Sequence, residues 1–300
     1  MRYDIRLTIE YSYAAPSDQV RNLLRLLPAD LPGQRVGARV LTITPAPDER
    51  RDGADFFGNS VTQVGWHRPV SQLRFDLRAG AERLPAAVPQ DGPALVDLAA
   101  LMAGQGIGPM APLHFTAPSP RIAPVATIAE FARAALPHAP TVPASIAAVG
   151  MALHDAMTFD PDATDVTTAP ETAFANRRGV CQDYAQIMVG GLRSMGIPAG
   201  YVSGFLRTTP PPGQPRLEGV DAMHGWVMAW AGPELGWLEY DPTNRQWAGE
   251  DYVTVARGRD YADAAPVRGA LRTAGAHDTR HAVDVIPQED GAAINLPGRP

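Results

Sequence analysis

The sequence contains no lysine; all 26 of its basic residues are arginine. It has a single cysteine, Cys181, which excludes an internal disulfide and suits a reducing compartment. No long block of one charge is present, and the formal net charge is −6. A phosphate-binding face needs clustered basic residues, so nucleic acid is not an expected partner. No run approaches the roughly 18 to 20 apolar residues of a membrane helix, so no membrane partner is expected either. The opening Met1-Arg2-Tyr3-Asp4-Ile5-Arg6 lacks a charged stretch followed by an apolar run, so no secretory signal is expected. A soluble cytoplasmic protein is the resulting expectation. There are no internal repeats. Arginine without lysine, together with abundant Ala, Pro and Gly, fits the mutational bias of a GC-rich genome.

What is present is ample apolar material: 45% of 300 residues, enough for two domains. Tyr3, Ile5, Leu7, Ile9 and Tyr11 alternate with Arg2, Asp4, Arg6, Thr8 and Glu10, the period of a half-buried strand. Further strands are expected at Val40 to Thr44, Ser60 to Trp66 and Leu73 to Leu77, with Asp52-Gly53 and Gly58-Asn59 as turns. Residues 1–118 read as an antiparallel β domain, with a sandwich as one form of it. Its last part is rich in Pro, Ala and Gly, a linker with one short helix near Ala94 to Met102.

Residues 119–262 read as a second domain. Helices are expected over Val125 to Leu136, Ser145 to Met157 and Ala169 to Arg177, the last capped by Thr168 with Pro170 in its first turn. Another begins at Cys181, with Tyr184, Ala185, Met188, Leu192 and Met195 on one face, and stops at Gly196 and Pro198. Strands follow near Ala199 to Leu206, Met223 to Trp230 and Gly236 to Tyr240; Thr209 to Gly213 reads as an exposed loop. Residues 263–300 form an extension with one strand near His281 to Ile286.

Cys181 follows Gly179-Val180 and starts a helix. An isolated cysteine is commonly a small buried hydrophobe. A helix N-terminus, however, carries partial positive charge and free N–H groups, which favour a thiolate and can hold an oxyanion. A nucleophilic thiol needs a base, and the base an orienting group. Of seven histidines, only His224 has a supporting context. It opens the strand His224-Gly225-Trp226-Val227-Met228-Ala229-Trp230; a second strand, Trp237-Leu238-Glu239-Tyr240, runs into Asp241-Pro242. Joined by Ala231-Gly232-Pro233-Glu234, a hairpin would pair Trp230 with Leu235 and His224 with Asp241. Facing side chains in such a pair share one face, so a carboxylate would lie beside the imidazole.

Arg178-Gly179-Val180-Cys181-Gln182-Asp183-Tyr184-Ala185 resembles the nucleophile motif of bacterial transglutaminase-like proteins. Gly196-Ile197-Pro198-Ala199-Gly200-Tyr201-Val202-Ser203-Gly204, His224-Gly225-Trp226-Val227, Gly236 to Asn244 and Gly258-Arg259-Asp260-Tyr261 continue the likeness. The opening strand and Asp55-Phe56-Phe57-Gly58-Asn59 are similar to the β domain that often precedes this core. Gly225 stands where the family more often has Ala, a difference between two small residues.

The resemblance implies an α+β fold: a papain-like, transglutaminase-like core with an antiparallel sheet, preceded by an antiparallel β domain. It implies Cys181 as nucleophile, His224 as base and acid, and Asp241 as the group holding His224. Trp226, Gln182 and Asn176 are further candidates as oxyanion donors or substrate walls. The expected chemistry is acyl transfer through a thioester on a peptide or protein substrate, without cofactor or metal. Hydrolysis of a peptide or amide bond is favoured over transamidation, and a non-catalytic peptide-binding module is a third reading. Without lysine, the chain offers no side-chain amine to its own thioester. Asp160, Asp162 and Asp165 lack the Gly and distal Glu of a calcium loop and read as turn-capping residues. His154-Asp155 reads as helix surface. A homo-oligomer is compatible with the sequence.

Overall fold

The computed structural model describes residues 1–89, 91–208, 219, 221–272 and 277–288. The first unit is a sheet built around one very long strand, β1 (Arg2–Leu24), with β2 (Gln34–Thr44), β3 (Glu49–Ala54), β4 (Ser60–Gly65) and β5 (Val70–Arg83). A 3-10 turn at Leu95–Asp97 leads into α1 (Leu98–Met102), and a second lies at Pro112–Phe115. Then come α2 (Ala126–Ala134), α3 (Val142–Ala156), β6 (Thr158–Phe159), α4 (Pro170–Asn176), β7 (Arg178–Gly179) and α5 (Cys181–Ser194). The second sheet uses β8 (Ala199–Leu206), β9 (Ala222–Trp230), β10 (Trp237–Asp241), β11 (Gln246–Trp247) and β12 (Tyr252–Gly258). After it follow α6 (Tyr261–Ala264), β13 (Val267–Arg272) and β14 (His277–Gln288). The fold is α+β, with an antiparallel sheet unit preceding a helix-on-sheet core. Among the described residues, no helix is long and apolar enough to cross a membrane.

The alternation of β1 works as its sequence requires: Tyr3, Ile5, Leu7 and Ile9 are all buried. Its first half pairs with β5 and β14, and its last residues pair with β4 and β13. The seven strands therefore share one sheet rather than forming two independent layers. The C-terminal segment contributes two strands to this sheet, where the sequence reads one. Their apolar residues Val283 and Val285 are fully buried against it.

The core sheet has strand order β11-β10-β9-β8-β12. α5 crosses it and is enclosed by β8, β9, α2, α3 and α4. Ten of its residues are buried, including Gln182, Asp183 and Gln186, so it is a central helix rather than one with a single apolar face. Thr168 does not cap α4: that helix starts from Ala169 with no side-chain cap, and the Thr168 hydroxyl instead accepts from Asp165 N at 3.1 Å. Two of the three clustered aspartates cap turns as expected: Asp165 Oδ1 accepts from Thr167 N at 2.7 Å and Thr168 N at 3.0 Å, and Asp160 Oδ1 from Asp162 N at 3.0 Å.

The two sheets meet at β12, the edge strand of the core. Gln34 donates to Thr254 O (2.7 Å) and accepts from Thr254 N (2.8 Å). Asn59 does the same for Arg257 O and N, both at 2.7 Å. Each carboxamide thus supplies one donor and one acceptor, as a neighbouring strand would. Asn59 belongs to the Asp55–Asn59 turn, held by Asp55 Oδ1 accepting from Phe57 N and Asn59 N, both at 3.0 Å.

Candidate active site

Cys181 is the first residue of α5 and is half-buried. Helix N-terminal N–H groups lack intrahelical partners, so its own backbone N–H points out of the helix end. The turn before it is fixed by Asp183, whose Oδ2 accepts from Val180 N at 2.8 Å and from Thr164 Oγ1 at 2.5 Å. Burial pushes the Asp183 carboxyl above its usual range, against those two hydrogen bonds. Gly179 leaves room for this: a Cβ there would lie 2.6 Å from Asp183 Oδ2.

The β9–β10 hairpin differs from the expected register. Trp230 faces Trp237, Met228 faces Glu239 and Val227 faces Tyr240. The turn is longer because Gly232 (φ +96°) and Gly236 (φ +64°) adopt left-handed conformations, and Ala231 N donates to Gly236 O at 2.8 Å. The slip is two residues, and side chains alternate with period two, so every side chain keeps its face. His224 and Asp241 become diagonal rather than direct neighbours, still within reach of long side chains.

His224 Nε2 donates to Asp241 Oδ2 at 2.7 Å, and the imidazole is near enough to the Cys181 side chain for the thiol to influence its titration. With Nε2 committed to Asp241, Nδ1 is the nitrogen left for the thiol. Burial depresses the imidazolium, but hydrogen bonds to Asp241 and Cys181, and their charges, outweigh it and push its pKa up to about 10. Removing the thiol in Cys181→Ala should lower that value. A titration of ¹³C-labelled histidine by NMR checks this, and an unchanged midpoint would show that the two side chains do not interact.

Asp241 is fully buried and accepts five hydrogen bonds. Oδ2 takes His224, Tyr252 Oη (2.7 Å) and Asn244 Nδ2 (2.6 Å); Oδ1 takes Thr243 N (2.8 Å) and Asn244 N (3.2 Å). Burial raises its pKa, but the His224, Tyr252 and Asn244 contacts reverse this and hold the carboxyl below its usual value. Tyr252 is pushed upward by burial and by Asp241, so it stays a donor; Gln246 Nε2 donates to its hydroxyl at 2.7 Å. Behind Asp241, His154 and Asp155 are more than helix surface. His154 Nδ1 donates to Thr243 O at 3.0 Å and Asp155 pairs with Arg245 at 3.1 Å, tying α3 to the turn that follows β10.

The structure brings Cys181, His224 and Asp241 together, keeps Trp226 and Gln182 beside them, and leaves Asn176 exposed. Trp226 is fully buried on the face of His224, rings stacked at 6.2 Å, and its Nε1 already donates to Glu239 Oε2 at 3.0 Å. Glu239 is held below its usual pKa despite burial, by Arg257 and Arg83, the latter reaching in from β5 at 3.9 Å. Asn176 is exposed at the end of α4. Gln182 is buried beside Cys181, and its Nε2 has no hydrogen-bond partner. The loop at Thr209 to Gly213 lies outside the described residues. Sequence reasoning missed Tyr252, Asn244 and His154. Asn244 stood in the recognised Asp-Pro-Thr-Asn stretch, whereas Tyr252 and His154 lie on other elements and had no local signal.

A half-buried thiol at a helix tip, beside a buried imidazole–carboxylate pair, is the arrangement of cysteine-dependent acyl-transfer sites. Residues 3–82 match the family described as the bacterial transglutaminase-like N-terminal region, and residues 130–242 match the transglutaminase-like superfamily. The uncharacterized proteins Rv2569c of Mycobacterium tuberculosis and Mb2599c of Mycobacterium bovis are each 33% identical over 298 residues, covering 97% of this chain and 94% of theirs. A protein-glutamine gamma-glutamyltransferase of Pseudomonas aeruginosa is 39% identical over 89 residues, 29% of this chain and 13% of that one. Among solved structures, a candidate cysteine protease from Cytophaga hutchinsonii shares the fold at TM-score 0.72 and 18% identity, covering 100% of this chain and 93% of that chain. The chain belongs to the transglutaminase-like superfamily.

Proposed function

We propose that this protein hydrolyses a peptide or amide bond through a thioester on Cys181. The observation that carries the reading is the chain of contacts Cys181–His224–Asp241, anchored by a carboxylate with five donors. His224 takes the thiol proton, and the sulfur forms a bond to the carbonyl carbon of a peptide or protein substrate. The carbonyl oxygen becomes an oxyanion, held by the Cys181 backbone N–H. As the tetrahedral intermediate collapses, the C–N bond breaks and His224 protonates the leaving amine. Water then attacks the thioester, giving its proton to His224, and a second collapse releases the carboxylic acid and the thiol. Asp241 keeps the ring oriented throughout and balances the imidazolium charge.

Transamidation differs only in the second nucleophile, an amine in place of water. It is favoured by the identity over 89 residues to the Pseudomonas aeruginosa protein of that activity. The deciding experiment incubates the protein with a glutamine-containing peptide library, with and without a fluorescent primary alkylamine, and reads products by mass spectrometry. Cleaved or deamidated peptides with no amine incorporated are the expected result. Amine-tagged glutamine would establish transamidation instead. Peptide binding without turnover, and with Cys181 inert to iodoacetamide, would leave a peptide-binding module.

A further inference from the structure

The proposed mechanism uses the Cys181 backbone N–H at the oxyanion, and such sites work best with two donors. Two of the three donors first suggested by sequence are poorly available: Trp226 Nε1 is committed to Glu239, and Asn176 is exposed at the end of α4, while Gln182 is buried beside Cys181 with its Nε2 unpartnered. A different candidate is Tyr201. Tyr201 lies on β8 opposite Val227 of β9, in the same packed cluster as Tyr184 and Ala185 of α5. It is 3% exposed, with its hydroxyl turned toward Gly225.

The position of that hydroxyl is set by Gly225. A Cβ on Gly225 would lie 1.9 Å from Tyr201 Oη, so the hydroxyl occupies the space that an alanine methyl would fill. The difference between glycine and alanine at this residue is therefore not neutral, as the sequence alone suggests. It lets a phenol reach the backbone directly next to His224. Tyr261 supports the phenol edge-on, ring centroids 5.8 Å apart. Burial first, and then the nearby charge of Cys181, keep the Tyr201 proton in place well above the usual phenol range. Tyr261 responds to burial and Cys181 in the same direction. A phenol that holds its proton beside a nucleophile can serve as a donor and not as a base.

We propose that the Tyr201 hydroxyl is the second oxyanion donor, paired with the backbone N–H of Cys181, and that Gly225 exists to admit it. The proposal rests on Cys181 being the nucleophile. It assigns Tyr201 a bond made when the carbonyl oxygen gains charge, and no part in generating the thiolate.

Two reactions of the same sulfur separate these roles. Acylation by p-nitrophenyl acetate passes through an oxyanion, whereas alkylation by iodoacetamide is a displacement at carbon with none. Tyr201→Phe keeps the ring and removes the donor. It is expected to slow the p-nitrophenol burst by about 10²-fold while alkylation stays within about twofold of the parent. Gly225→Ala, which drives a methyl into the hydroxyl's place, should reproduce the selective loss. A Tyr201→Phe burst at the parent rate would overturn the proposal. So would a parallel fall in both reactions, which would mean a displaced thiol. A selective loss in Gln182→Ala with none in Tyr201→Phe would assign the role to Gln182. A parent protein with no burst at all would overturn the nucleophile assignment itself, an outcome distinct from a normal burst unaffected by Tyr201→Phe.

Discussion

Cys181→Ala is expected to reduce acyl transfer by about four orders of magnitude or more while leaving the protein folded. The thiol is the nucleophile placed beside the His224 imidazole, where it could bond covalently with an acyl carbon. Its removal deletes one half-buried atom at a helix terminus, a change that costs about 1 kcal/mol or less. Thermal melting should therefore stay close to that of the parent, and the comparison of burst kinetics with melting temperature checks both halves. A mass-labelled adduct that persists in Cys181→Ala would sink the assignment. Because the chain has a single cysteine, such an adduct could come only from a different kind of residue.

Asp241→Ala should damage both stability and turnover. The substitution leaves five donors facing an empty, buried space: the His224 ring, the Tyr252 hydroxyl, the Asn244 amide and two backbone N–H groups. Breaking a buried charged pair by deleting one member costs about 3–5 kcal/mol. The orientation of His224 would also be lost, and orienting carboxylates of this kind are worth about 10⁴ in turnover. The pH dependence carries the same signature. Asp241 is depressed in the folded protein, so its contribution is present above its unfolded pKa and is lost as pH falls through the folded value. His224 is raised to about 10, so its contribution is full below the unfolded pKa near 6.5 and is lost as pH rises through about 10. Denaturant melts across pH should show the parent losing stability at both ends and Asp241→Ala showing a flatter profile. A variant as stable as the parent would mean that the network adds nothing to the fold.

Much of this was legible in the chain itself. Alternation over residues 2–11 marked β1, and the pattern Cys181 to Gly196 marked α5, because local periodicity reports which side of an element is buried. The His224–Asp241 partnership survived an error in register because a two-residue slip conserves the face. What escaped were relations across long sequence distances. Tyr252 reaches Asp241 from β12, His154 reaches Thr243 from α3, and Arg83 reaches Glu239 from the other sheet. The Gly225–Tyr201 contact escaped for a related reason. Whether a small residue is incidental or required depends on what stands opposite it, and 24 positions of chain separate the two.

The carboxamides of Gln34 and Asn59 on β12 carry a consequence for how this protein could be cut or recombined. A bare outer strand invites pairing with any other extended chain. Here two side chains imitate the missing neighbour and end the ladder, one from strand β2 and one from the turn before β4. The N-terminal unit is thus a stopper on the core as much as a companion to it. A core expressed without that stopper would present an open polymerisation edge only a few residues from the tyrosine that steadies Asp241.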